Sequence, residues 1–317
     1  MARILIIGKT PPPIGGVTIH VQRLLGWLDK VGQSVGFYDM AKLNVWALIS
    51  EIRKHDVIHV NVSNSYLCLF IAFMSKIFGK KVIITYHGNV GRWGRLRNLV
   101  DRVWLTLIDQ PLVLNEQSLR MVERWNAKVR QVSAFLPPVN DDVLEPAIAD
   151  RVENFCVGSD IVYCTNAYDF VYDSKGRETY CITQLVKIFG TLEGKRLIVS
   201  DPAGSYGEYF EVEGLSVPEN VMLISESHSF YAVIRESDAM LRATTTDGDS
   251  LSVREALYLG VSVLASNCVE RPSGVVLFDI ESEGDLLDVL DSVQDKQEGV
   301  GGDKHGLHDI LKIYSLN

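Results

Sequence analysis

The chain has no apolar run of the roughly 18–20 residues that spans a bilayer. Its best candidate, Tyr66 to Phe78, is about 13 residues long and is interrupted by Ser75 and Lys76. That length suits a buried helix. The opening stretch MARILIIGKT has too short an apolar core for a signal peptide and ends in Lys9. It reads as a first β-strand, and a cytoplasmic location is expected. Cysteine is scarce: five, at 68, 156, 164, 181 and 268, with no C-x-x-C and mostly apolar neighbours. Such a set predicts buried thiols, not disulfides or zinc ligands. No repeat of fixed period and no low-complexity tract is present. The stretch IIGKTPPPIGG does not contain G-x-G-x-x-G, and no acid closing a second strand stands out as a ribose ligand. That disfavours a dinucleotide oxidoreductase, and the missing G-x-x-x-x-G-K-[ST] disfavours a P-loop enzyme.

What is present is globular. The 317 residues are 47% hydrophobic and 22% charged, enough for two domains with a substantial core. Net charge is -9, unevenly divided. Residues 1–145 hold 18 Lys and Arg against 11 Asp and Glu, a balance of +7, and the remainder holds 13 against 29, a balance of -16. A basic half usually meets something anionic. Nucleic acid is one such partner, but no nucleic-acid motif appears. An anionic membrane surface or a phosphorylated lipid is the other.

Strand-like apolar runs alternate with helical patterns in two successive series, as in parallel α/β folds. The first series has strands at 2–8, 34–40, 56–62, 81–88, 110–115 and near 129–134, with helices at 17–30, up to Phe78, and at 116–126. PPVNDDVLEP (137–146) breaks both periods and reads as a linker. The second series has strands at 160–167, 196–200, 221–225, 239–244, 261–266 and 275–279. Its helices are expected at 178–190, 228–236, 250–259 and 286–293, before a Gly-rich break (299–302) and a last helix at 305–314. The expected architecture is α/β: two Rossmann-like doubly wound domains, 1–140 and 141–303, facing across a ligand cleft. The segment 304–317 is a C-terminal helix expected to pack back on the first domain.

Four stretches carry candidate chemistry. Gly15-Gly16 precede the helix at 17–30, where glycine permits positive φ and the helix amino terminus favours an anion. A plain tight turn is the alternative. His20, a turn inside, either faces the ligand or packs. In TYHG (85–88), His87 ends a strand where open α/β sheets place ligands, and an imidazole there can act as acid, base or donor. The alternative is a hydrogen-bonded structural histidine. In GRWGRLRNLVDRVWL (91–105), Arg92, Arg95, Arg97 and Arg102 interleave with Trp93, Leu96, Leu99, Val103 and Trp104. That pattern suits an interfacial helix on an anionic membrane, or a surface helix whose apolar face is core.

The fourth is TTTDGDSLSVREALYLG (244–260). Ser250 can cap a helix that Gly260 stops, and the N–H groups of Ser250, Leu251, Ser252 and Val253 then point at an anion. Glu255, a turn inside, leans back toward a ligand there and can accept both hydroxyls of a ribose. Asp247 lies on the ligand's other flank. With Asp249 it forms a D-x-D, but the spacing spreads the acids along one ligand instead of converging them on an ion, so no metal is expected. An EF-hand is excluded, since neither its third acid nor its glycine falls in place.

With PPPIGGVTIHVQRL, DVIHVNVSNS, ITYHG and above all DGDSLSVREALYLGVSVLAS, the chain resembles a family 4 retaining glycosyltransferase of the GT-B fold over nearly its whole length. The last run resembles the family's E-x7-E signature, with Asp247 in the first place and Glu255 in the second. The form with Asp first is similar to a bacterial surface-polysaccharide branch. The resemblance implies that Gly15 and Gly16 approach the donor diphosphate or acceptor. It implies that His87 lies by the donor sugar and assists transfer, that Asp247 holds donor-sugar hydroxyls, and that Glu255 holds the nucleotide ribose. It further implies a nucleotide-sugar donor, a lipid-linked saccharide acceptor, and no cofactor or metal, because helix dipoles and cations stabilise the leaving group. The family's Arg and K-G pair depart here: the pair aligns with Tyr180-Cys181. Lys175, with Gly176, and Arg177 are candidate substitutes in the preceding loop. Arg242 is another, and a buried ion pair with Asp247 or Asp249 is its alternative reading. A GT-B epimerase or phosphorylase, and a degenerate member that binds a partner and catalyses nothing, are the competing functions.

Overall fold

The computed structural model describes residues 2–140, 142–293 and 305–315. The Gly-rich break at 299–302 and the boundary at 303–304 lie outside the described residues. Two compact units emerge: Met1–Val139 with Lys304–Asn317, and Asn140–Asp303.

The first unit is built on β1 (Ile4–Gly8), β2 (Val35–Asp39), β3 (Val57–Val60), β4 (Lys81–Tyr86), β5 (Gln110–Val113) and β6 (Arg130–Gln131). All pair in parallel, in the order β2-β1-β3-β4-β5-β6. β1, β3 and most of β4 are buried on both faces, which is why they read as unbroken apolar runs. The helices are α1 (Gly16–Lys30), α2 (Val45–Lys54), α3 (Ser65–Ile77), α4 (Arg95–Leu107) and α5 (Glu116–Glu123). The chain leaves β1 for β2 on one side and returns to β3 on the other. The carboxyl ends of β1 and β3 therefore form a topological switch point, where such sheets bind ligands.

The second unit begins with α6 (Pro146–Cys156) and runs through β7 (Ile161–Asn166), α7 (Ile182–Phe189), β8 (Lys195–Ser200), α8 (Ser205–Val212) and β9 (Val221–Ile224). It continues with α9 (Phe230–Arg235), β10 (Ala239–Arg242), α10 (Leu251–Tyr258), β11 (Ser262–Ser266), β12 (Val275–Phe278) and α11 (Glu283–Asp291). The order β12-β11-β10-β7-β8-β9, again all parallel, puts its switch point between β7 and β10. The last helix, α12 (Leu307–Ser315), packs Leu307, Ile310, Ile313 and Tyr314 into the first unit's core beside Ile4, Ile6 and Leu24.

Several local expectations are corrected. The linker reading of 137–146 ends in a helix start, because Pro146 takes the first turn of α6, where its missing N–H costs nothing. Between the strands expected at 196–200 and 221–225, where the sequence reading has no helix, residues Ser205–Val212 form α8. The helix expected from 178 starts at Ile182, after an antiparallel bridge between Tyr172 and Glu178. The helix at 65–77 is only half buried: Tyr66, Phe73 and Ile77 are exposed. The five cysteines are free thiols.

Candidate functional site

In the first unit the chemistry gathers at the ends of β3 and β4. Gly15 is the N-cap of α1 with φ -167, extended backbone open to any residue, and Gly16 is the first helical residue. Neither uses the positive φ expected of them. Thr18 Oγ1 ties this turn, accepting from Gly15 N at 3.0 Å and donating to the Pro13 carbonyl at 2.8 Å. His20 packs: it is buried, and its Nδ1 donates to the Ala134 carbonyl at 2.7 Å. It nevertheless meets His87 edge to face, with ring centroids 5.0 Å apart. His87 is buried too, its Nε2 donating to Asn61 Oδ1 at 3.0 Å. It opens on a pocket of about 200 Å³, mouth included, lined also by Ser65, Cys68, Tyr86, Arg92 and Asp101. Gly88, at φ 133, lets the Arg92 guanidinium lie where a β-carbon would overlap it.

Burial is the chief reason these imidazoles stay neutral. It takes His20 down to about 4, against the pull of the Ala134 carbonyl. His59, a strand residue bonded to Thr85 Oγ1 at 2.8 Å and to the Tyr314 hydroxyl, falls to about 3 by burial and then by the charge of His20. His87 is held well below its ordinary value by burial, then by His20, His59 and Arg92.

In the second unit the switch point is occupied by Arg242, the last residue of β10. Its guanidinium donates to Asp247 through Nε at 3.0 Å and Nη2 at 3.2 Å, and reaches Asn166 Oδ1 at the end of β7 at 3.2 Å. The Tyr180 ring lies 5.3 Å from it. Arg271, in the loop after β11, completes the clamp with Nη1 to Asp247 at 2.8 Å. Burial pushes the Asp247 carboxyl up, but Arg242 first and then Arg271 outweigh it and leave it below the usual carboxylate range. Sequence reasoning missed Arg271. Its one signal is position, a cation just past a strand's carboxyl end.

Asp249 turns to a different cation, Arg254, at 2.7 Å. The two acids of the D-x-D are thus held by separate guanidiniums. Among the described residues no group of three or more His, Cys, Asp or Glu is arranged to hold a metal ion. Ser250 is the N-cap of α10, yet its hydroxyl bonds Ser252 Oγ at 3.0 Å instead of capping the helix. Leu251 and Ser252 form the first turn, whose N–H groups have no intrahelical acceptor. Glu255 is buried in the second turn. Thr245 N bonds the Thr179 carbonyl at 3.0 Å, joining the acid loop to the 172–180 loop. In that loop Lys175 is exposed, and Arg177 is taken by Asp173 at 2.8 Å and by Glu281. Cys181, with φ 49, is the one non-glycine residue of left-handed conformation among those described. It stands where the resemblance aligns a glycine.

Two such doubly wound units, each a parallel six-stranded sheet with alternating helices, make the GT-B fold. No family model matches the chain, and no curated protein matches it by sequence. Among solved structures it is similar to HepE of Anabaena, crystallised with UDP and glucose: TM-score 0.68, 11% identity, covering 92% of this chain and 89% of HepE. It is similar also to sucrose-phosphate synthase from Thermosynechococcus elongatus, at TM-score 0.62 and 15% identity over 92% and 90% of the two chains. A putative UDP-N-acetylglucosamine 2-epimerase from Listeria monocytogenes has TM-score 0.58 and 14% identity over 98% and 94%.

Proposed function

We propose that the chain is a retaining, metal-independent glycosyltransferase that moves a sugar from a UDP- or GDP-sugar to a lipid-linked or oligosaccharide acceptor in bacterial polysaccharide biosynthesis. It works in the cytoplasm at the inner membrane face, with segment 91–105 in contact with anionic lipid. The observation that carries this reading is the clamp at the β7–β10 switch point. Arg242 and Arg271 fix Asp247 beside the amino terminus of α10, and Glu255 follows eight residues on. On this reading one carboxylate serves the donor-sugar hydroxyls and the other the ribose, with the helix's N–H groups for the diphosphate. The clamp carries two guanidiniums for one Asp247 carboxylate, and that surplus positive charge favours the leaving group. Lys175 and Arg177 border the same loop. In the first unit, neutral His87 keeps a lone pair on Nδ1 to assist transfer, and Gly15, Gly16 and His20 are assigned to substrate binding. The HepE complexes with UDP and UDP-glucose support testing UDP first.

Tyr180 at the position the resemblance gives to lysine favours a second reading, a degenerate protein that binds a partner and transfers nothing. The epimerase neighbour keeps a third, nucleotide-sugar epimerisation, in view. A thermal-shift panel of UDP, GDP, ADP and CMP tests the donor site, with turnover read in membrane extract. At least one nucleotide should raise the melting temperature, by an amount equivalent to about 2.7 kcal/mol at a hundredfold excess over Kd. Glu255→Ala should abolish both the shift and the turnover. No shift with any nucleotide overturns the reading; a shift with product confined to isomerised sugar nucleotide turns it to the epimerase.

A further inference from the structure

α3 is the least polar helix of the chain, yet it leaves one side uncovered. Tyr66, Phe73 and Ile77 recur at i, i+7 and i+11, share a face, and are each more than half exposed. α4 packs directly against α3. It presents its own stripe, Leu96, Leu99, Val103 and Leu107, with Leu96 at 69% exposure. α2, which also packs on α3, adds Trp46 at 81% exposure, next to Val45. A run of exposed apolar and aromatic side chains over three adjacent helices is a binding surface, not scattered exposure.

The charge around it is mostly positive; α2 adds Glu51, which is paired with Lys54. Residues 62–108 contain seven Lys and Arg and a single acid, Asp101. That acid is buried, accepting from Tyr86 Oη at 2.7 Å and Trp104 Nε1 at 3.0 Å. Lys76 is paired with Asp109, and Arg97 is held by Ser63 and Ser65 across the face of Trp93. Arg95 and Arg102, i and i+7 on α4, are exposed beside the apolar stripe and make no ion pair among the described residues. Trp104 is core, so the aromatic members of the face are Tyr66, Phe73 and Trp46.

We propose that the α3–α4 face, extended by the first turn of α2, is a docking surface for an anionic lipid bilayer. The apolar stripes sink into the headgroup and upper acyl region while Arg95 and Arg102 meet lipid phosphates. A second copy of the chain fits less well. A two-fold contact through this face would oppose Arg95 and Arg102 to their own equivalents, with no exposed acid in the segment to separate them. This rests on the lipid contact proposed for segment 91–105 and extends it from α4 onto α3 and α2, on the exposed side chains alone, whatever the second unit binds.

The test is co-sedimentation of the full chain with phosphatidylcholine vesicles, with and without phosphatidylglycerol. Binding should be about tenfold tighter with phosphatidylglycerol and weaken as salt rises. The surface double variant Leu96→Asp with Leu99→Asp should abolish sedimentation. Arg95→Glu with Arg102→Glu should erase the lipid preference. In both, circular dichroism and the nucleotide thermal shift should be unchanged. Equal binding to both vesicles, or no effect of either variant, overturns the proposal. So does a concentration-dependent dimer, seen by light scattering, that the leucine variant dissolves. A chain that binds UDP and ignores vesicles sinks this proposal together with the lipid contact of segment 91–105 and leaves the transfer reaction standing; one that binds vesicles and no nucleotide sinks only the transferase.

Discussion

Asn61 Oδ1 lies 3.0 Å from His87 Nε2, so the network assigns the imidazole proton to Nε2 and leaves a lone pair on Nδ1. Asn61 is itself buried, and its Nδ2 has no hydrogen-bond partner among the described residues. An Asn61→Asp variant puts a carboxylate against the same nitrogen. Nitrogen-15 imidazole spectra should show neutral, Nε2-protonated His87 in the wild type and a titration moved up toward neutral pH in the variant. A wild-type His87 protonated on Nδ1 would sink the assignment. His20 tests the same environment through stability. Its folded pKa of about 4 lies below the ordinary 6.5, so the neutral form is preferred on folding. That stability is complete above pH 6.5 and is lost as pH falls from there toward about 4. The loss is about 3 kcal/mol from this one group. Urea midpoints measured from pH 7 downward should fall less steeply in His20→Asn, whose amide can still donate to the Ala134 carbonyl.

At the level of elements, α10 and the loop before it depend on three charged side chains, two guanidiniums around one carboxylate, at the sheet's switch point. Asp247→Asn keeps the shape but leaves Arg242 and Arg271 facing an amide. Removing one partner of a buried ion pair costs about 3 kcal/mol or more. Arg271→Met should cost less, because Arg242 still pairs with Asp247 through two nitrogens. Urea denaturation of both variants checks the order, and a reversed order would mean that Arg271 dominates the clamp. The parallel strands and the DGDSLSVRE helix start were legible because doubly buried strands are continuous apolar runs and an acid–cap–helix pattern is local. α2 was not, since it buries only Leu48 and Ile52, and α6 was hidden because Pro146 reads as a breaker. Arg271 has no periodicity to betray it; only the fold brings it back to Asp247. Exposure on α3 was equally hidden, because an apolar helix carries no sign of which side its own protein leaves bare.

At the scale of the whole chain, the first unit is made from both ends of the sequence. α12 sets Leu307, Ile310, Ile313 and Tyr314 into the core under β1, and Tyr314 bonds His59 on β3. Gly306 lies so close to the Ser133 backbone that a β-carbon there would collide with its carbonyl. Burying an aliphatic or aromatic side chain is worth about 1.5–3 kcal/mol, so four of them exceed roughly 6 kcal/mol. A domain's whole stability is only about 5–15 kcal/mol. A chain ending before Lys304 should therefore lose amide-exchange protection throughout β1, β3 and β4, while β7, β8 and β10 of the second unit keep theirs. Tyr314→Phe removes a single hydrogen bond and should cost only about 1 kcal/mol, with protection retained. Truncation that leaves β1 and β3 protected would show that the first unit stands without α12. Truncation that also strips protection from β7 and β10 would show that the two units unfold as one.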